Sequence, residues 1–286
     1  MDFKIKGITR KIIITIATLI ILVFFFIILP NNGDYGEYLS LYIQIIIYLL
    51  ISVVICSQFS REDNHHRLSY LVGNFDLKDG SWLKWGGYSI CLIIFGYVTV
   101  ISISNIIISD VYEFFILTPD TEQFHTTVYN LLAISISVLF APIAEELYFR
   151  GYLMNKLGAS KGLIIGVIFN SFIFSILHLD SFFIPQFLSG IFYSLVYIKT
   201  KKIIIPIVLH SFHNLINFIV LFFPYTLVQP VGMPSRKGIE AVFDIGTILF
   251  LIILPVAAYF AYTKVKNLND KTPYQWNKER QQEVVN

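Results

Sequence analysis

Residues 141–153, APIAEELYFRGYL, follow LLAISISVLF at 131–140, so an apolar run passes directly into two adjacent glutamates and an arginine. The run is apolar enough for a bilayer, whose crossing takes roughly 20 mostly apolar residues. Ionisable side chains at that depth are costly and are functional candidates by default. On a helix, residues four apart share a face, which pairs Glu146 with Arg150. Glu145 is turned about 100° away and is left without that partner. One glutamate then reads as structural and the other as free for proton chemistry. The competing reading puts both at the cytoplasmic end of a span, with Arg150 among the headgroups.

Outward from this stretch the same composition continues. Of 286 residues, 56% are hydrophobic and 14% charged, and mean hydropathy is +0.69. Soluble domains run at about 45–50% apolar and about 25% charged. The apolar residues gather into eight blocks: 11–30, 38–58, 86–108, 127–148, 162–179, 182–198, 203–223 and 241–263. The predicted fold is all-α, a polytopic membrane protein of about eight transmembrane helices. Residues 1–263 form one transmembrane domain, and 264–286 form a polar cytoplasmic tail, expected to be disordered or surface-associated. The first block is too long for a signal peptide and lacks a small-residue cleavage site. Cys56 and Cys91 lie in apolar surroundings, which predicts buried thiols and no disulfide.

Charge sets the expected orientation, because Lys and Arg concentrate on the cytoplasmic side. Cations cluster at Lys4, Lys6, Arg10 and Lys11, then at Arg61, Arg67, Lys78 and Lys84, then at Arg150, Lys156 and Lys161. Lys199, Lys201 and Lys202 follow, and the tail carries five more. The intervening segments 31–37 and 109–126 have none. Both termini are therefore predicted cytoplasmic, with Arg236 and Lys237 the exceptions. The net charge of +2 gives no reason to expect nucleic acid as a partner; the lipid bilayer is the expected one.

Two further polar clusters lie within apolar blocks. FSILHL places His178 four residues after Phe174, and its alternative is a hydrogen-bonded interface histidine. In LHSFHNLINF, His210, His213, Asn214 and Asn217 fall on one helical stripe. Four such side chains must face protein or a watery cavity, and a hydrogen-bonded seam between helices is the alternative. A carboxylate, imidazoles and an amide can together activate water and stabilise an oxyanion. They also form an N/O ligand set for a divalent metal such as Zn. HExxH, a Ser-His-Asp elbow and a Gly-rich phosphate loop are absent. A transporter or channel with the polar stripe as an ion path is a third reading; against it, no pair of interrupted half-helices repeats in two halves.

EELYFR, FSILH and HSFHN, in that order, resemble the EExxxR, FxxxH and HxxxN motifs of the CAAX protease and bacteriocin-processing (CPBP, or Abi) family. These are intramembrane endopeptidases related to the type II CAAX prenyl proteases, and the resemblance covers about residues 127–223. It implies an intramembrane active-site cavity in which Glu145 and His178 activate water while His210 and Asn214 hold the oxyanion. Glu146 and Arg150 would support the site as an ion pair. A metal, if the family uses one, would sit on Glu145, His178 and His210. The implied substrate is a hydrophobic or membrane-anchored peptide, in CAAX-type, pheromone or bacteriocin processing. The alternative is a non-catalytic bacteriocin self-immunity or partner-binding protein on the same scaffold. His213 and Asn217 form a second HxxxN; His210 is preferred because His213 fills the polar place before the motif's asparagine. Depths conflict: from these boundaries Glu145 and His210 lie about 10–12 Å from the cytoplasmic edge and His178 about 25 Å.

Overall fold

The computed structural model describes residues 34–61, 67–73, 81–107, 127–178, 183–227, 236–268 and 271–285. Apolar runs without water must satisfy their backbone internally, and here they do so as helices. These are α1 (Asp34–Arg61), α2 (Arg67–Val72), α3 (Ser81–Ile107), α4 (Thr127–Lys161), α5 (Leu163–Ile176), α6 (Phe183–Thr200), α7 (Ile204–Leu227), α8 (Arg236–Lys266) and α9 (Pro273–Val285). Among the described residues there is no strand. Seven of the eight apolar blocks coincide with helices; the block at 11–30 lies outside the described residues. Tyr38–Ser57, Leu83–Ile103, Thr127–Lys161 and Glu240–Lys266 are long and apolar enough to cross a membrane, while Leu163–Ile176 and Ile204–Ile219 are shorter.

Exposure is inverted relative to a soluble protein. Val53, Leu251 and Val256 point outward at 64, 63 and 64% exposure, whereas Glu146, Arg150, Asn170, Ser171, Ser175 and Ser194 are fully buried. Apolar side chains face the lipid, and polar ones hold the interior. Both cysteines are free; Cys56 is half-buried, but Cys91 is exposed, contrary to the expected burial.

The helix bearing the glutamates is longer than its apolar block. It runs 35 residues, where the sequence placed a boundary at 148, because nothing breaks it before Gly162. There the backbone turns at φ +97°, a conformation that favours glycine, and α5 returns antiparallel. Arg150, Lys156 and Lys161 are therefore helical rather than loop cations, and Arg150 is buried. The conflict over depth dissolves with this boundary. Glu145 lies 17 residues before Gly162 and His178 lies 16 after it, so two antiparallel helices bring them level. His178 itself sits just past the end of α5.

Two stretches of α4, Ile136–Phe140 and Leu147–Met154, are π-helical, and they bracket the α-helical Ala141–Glu146. Such segments commonly occur at functional sites. Behind them α5 and α6 pack closely. A Cβ on Gly190 would meet Ser171 Cα at 2.8 Å, so only glycine allows this approach. The tail also departs from expectation: α9 is a helix docked on α2 and α4, with Thr272, Tyr274 and Asn277 at 1, 8 and 5% exposure.

Candidate active site

At the centre, Glu146 and Arg150 pair as the i, i+4 spacing predicts, with Oε1 to Nη1 at 2.7 Å and both side chains fully buried. Removing two charges from solvent is costly unless other groups complete their shells. Arg150 Nη2 donates to Gly190 O at 3.2 Å. Its guanidinium lies over Phe174 and Tyr193, at 4.7 and 5.3 Å from the ring centroids. Glu146 Oε1 also accepts from His210 Nδ1 at 2.9 Å. One carboxylate oxygen thus joins the arginine to the histidine.

That bond directs the rest of the imidazole. With Nδ1 donating to Glu146, Nε2 of His210 faces Glu145, 3.9 Å from its Oε2. Tyr193 stacks on the His210 ring, with centroids 4.9 Å apart and an interplanar angle of 17°. His178 is arranged likewise. Its Nδ1 donates to Phe174 O at 2.8 Å, its ring lies 4.4 Å from that of Phe174, and its Nε2 stands 3.6 Å from Glu145 Oε2. The FxxxH spacing thus provides both the carbonyl that orients the ring and the ring that packs on it. Glu145 Oε2 is buried and makes no hydrogen bond.

Asn214 lies one helical turn beyond His210. Its Nδ2 donates one hydrogen to Ser137 O at 2.8 Å, in the first π-helical stretch. These groups open on a cavity of about 230 Å³, whose lining includes Glu145, His178, His210, Asn214 and Ser137, with room for several waters. His213 and Asn217 line it too, but among the described residues neither pairs with a glutamate, and His213 Nδ1 is buried without a hydrogen bond. All eight predicted side chains therefore lie in or beside this cavity, and of the two HxxxN histidines it is His210 that meets the acids.

Sequence reading missed Tyr193, Ser137, Gln186 and Ser189 as cavity walls. One tyrosine among 17 carries no distinguishing signal. As for metal, ligands in a tetrahedral zinc site lie roughly 3.3 Å apart for bonds of about 2.0–2.1 Å. The separations of 3.6 and 3.9 Å here are wider, and among the described residues no group of three or more His, Cys, Asp or Glu is set as a metal site.

Fold and site define a polytopic membrane protein that keeps a carboxylate–imidazole cluster in an interior cavity. Residues 127–216 match the family model "Type II CAAX prenyl endopeptidase Rce1-like". Over 190 residues the chain is 27% identical to membrane-embedded CAAX protease MroQ of Staphylococcus aureus (strain USA300), an alignment covering 64% of this chain and 73% of that protein. No solved structure matches the chain significantly. The two matches bear out the resemblance carried by the three motifs: over these residues the chain is similar to the CAAX proteases.

Proposed function

We propose that this protein is an intramembrane endopeptidase that hydrolyses a peptide bond in a hydrophobic or membrane-anchored peptide, using water activated by Glu145 and His178. The observation that carries the proposal is the buried, unbonded Oε2 of Glu145, faced by two imidazole Nε2 atoms at 3.6 and 3.9 Å. Glu146 also keeps one oxygen without a hydrogen bond, but it is held by Arg150 and His210; Glu145 is the acid that lines the cavity.

In this reading, water loses a proton to Glu145 and His178 as its oxygen attacks the scissile carbonyl. The tetrahedral oxyanion takes hydrogen bonds from His210 Nε2 and from the second N–H of Asn214. The C–N bond then breaks, and the stored proton passes to the leaving amine. Because His210 Nδ1 already donates to Glu146, a donating Nε2 requires the doubly protonated ring. No step is routed through a metal; a divalent ion, should one bind, would take Glu145, His178 and His210.

In this reading both termini, and the end of the bundle formed by the Gly162 turn, are cytoplasmic, which the cation distribution supports. The test compares wild type with Glu145→Gln in cells, mapping peptide termini in membrane and secreted fractions by mass spectrometry. Termini lost in the variant at equal protein level establish proteolysis and name substrates. Identical maps would return the chain to the self-immunity or partner-binding reading.

A further inference from the structure

Asn155 lies at the end of the second π-helical stretch and is not among the motif residues. Its side chain is 5% exposed, and every polar atom on it is engaged. Nδ2 donates to Arg150 O and to Gly151 O, both at 2.9 Å, and lies 3.4 Å from the Tyr197 hydroxyl. Oδ1 accepts the backbone N–H of Tyr274 at 3.2 Å. Mid-helix, an asparagine that bonds back to carbonyls four and five residues earlier competes with regular α-helix. Here it holds the backbone of the segment carrying Arg150 in its π form.

The tail contributes the other half. Its first turn has backbone donors without helical partners. Thr272 and Gln275 satisfy two reciprocally: Gln275 N–H reaches Thr272 Oγ1 at 3.3 Å, and Thr272 N–H reaches Gln275 Oε1 at 2.9 Å. The Tyr274 donor is left for Asn155. Further along, Asn277 Nδ2 donates to Tyr70 O at 2.7 Å and to Lys201 O at 2.8 Å, and Tyr70 packs edge-on against Tyr274 at 5.6 Å. The tail is thereby fixed to α2, to the α6–α7 turn and to the helix bearing the glutamates.

We propose that Asn155 is a positioning residue for the site, holding Arg150 through the π-helical backbone, and that helix α9 is a built-in clamp that keeps Asn155 in place. A tail that merely lay on the surface would not place its first backbone donor on a buried amide one turn from the ion pair. The proposal rests on the catalytic reading above for its effect on turnover, but not for the clamp itself.

The first measurement is backbone amide exchange across 147–154 in the purified full-length protein, read by mass spectrometry. Asn155→Ala loses the two bonds to the π-helical carbonyls along with those to Tyr197 and Tyr274 and is expected to raise exchange by about tenfold or more. Tyr274→Pro, which removes the tail's donor in the first helical turn together with the ring on Tyr70, should raise it about threefold, and Tyr274→Ala, which loses the ring but keeps the donor, should raise it less. Glu279→Gln, which breaks an exposed tail pair, should leave it unchanged. The second measurement is cleavage of a membrane-anchored peptide whose processing is lost in Glu145→Gln. There kcat should fall about tenfold in Asn155→Ala and KM should stay within about twofold, since the cavity walls are untouched. Unchanged exchange in Asn155→Ala overturns the clamp, and faster exchange with unchanged kcat overturns the positioning role. Should Asn155→Ala not fold, Tyr274→Pro decides by the same two criteria. If Glu145→Gln cleaves normally, the catalytic reading falls, while the exchange data still decide the clamp.

Discussion

Arg150→Met separates a burdensome ion pair from an adhesive one. Arg150 and Glu146 are both fully buried, and methionine roughly fills the arginine stem's volume, so little cavity results. What remains is a carboxylate at zero exposure, held by His210 Nδ1 at 2.9 Å. Leaving such a charge unpaired costs about 3–5 kcal/mol. In Glu146→Gln/Arg150→Met the orphan charge is gone, and the amide oxygen can still accept from His210. The residual loss is the bond to Gly190 O, about 1 kcal/mol, and the contacts over Phe174 and Tyr193, about 1 kcal/mol together. The double variant should thus be more stable than Arg150→Met alone by about 2 kcal/mol, roughly thirtyfold in the unfolding constant. Denaturant unfolding of the purified protein in mixed micelles, followed by tryptophan fluorescence, measures it. A double variant that loses the sum of the two single losses refutes the argument, since the pair would then be worth more than its burden.

The remaining predictions use the same geometry. Glu145→Gln should abolish cleavage while shifting stability by under about 1 kcal/mol, because the oxygen that changes makes no hydrogen bond; unfolding and cleavage assays read the two effects. His210→Gln should cost about a hundredfold or more in kcat, the usual loss of an oxyanion donor, against a few-fold at most for His213→Gln; the reverse order would move the working pair to His213 and Asn217. Gly190→Ala places a Cβ 2.8 Å from Ser171 Cα and Cβ and should destabilise by about 1–3 kcal/mol, seen as a lower thermal midpoint in detergent. It should also reduce kcat, because the Gly190 carbonyl that moves is the one Arg150 grips.

Much of the site was legible because spacing survives folding. The i, i+4 relation of Glu146 to Arg150 and of Phe174 to His178, and the stripe from His210 to Asn217, each use a single helix, where local geometry decides which side chains meet. What escaped notice depended on nonlocal or subtle backbone effects. The end of α4 was misplaced because Arg150 was counted as an interfacial cation, whereas three aromatic rings, a carboxylate and a carbonyl allow it to be buried. Tyr193 stacks on His210 from another helix, and no pattern within α6 marks it. The tail helix, by contrast, was announced and overlooked: TPYQ at 272–275 is a capping box with proline at the first helical position. Its low hydropathy was taken for disorder, but its burial is by hydrogen bonds to Asn155, Tyr70 and Lys201 rather than by an apolar stripe.

The π-helical stretches explain how adjacent glutamates can serve different ends. A uniform α-helix would fix Glu145 and Glu146 about 100° apart but would leave their direction relative to α5 and α7 to helix packing alone. Here the short α-helical segment Ala141–Glu146 lies between two π segments, and each has a carbonyl held by an asparagine: Ser137 by Asn214, and Arg150 with Gly151 by Asn155. The first amide comes from α7 and the second is held by the tail, so the turn carrying both acids is braced at each end. Asn214 can brace and still serve chemistry, since one of its two N–H groups suffices for Ser137. The arrangement also accounts for the unequal burial of the two acids, with side-chain exposure of 14% for Glu145 and none for Glu146. The braced turn presses Glu146 into the arginine and aromatic wall, and the same rotation leaves Glu145 on the cavity lining.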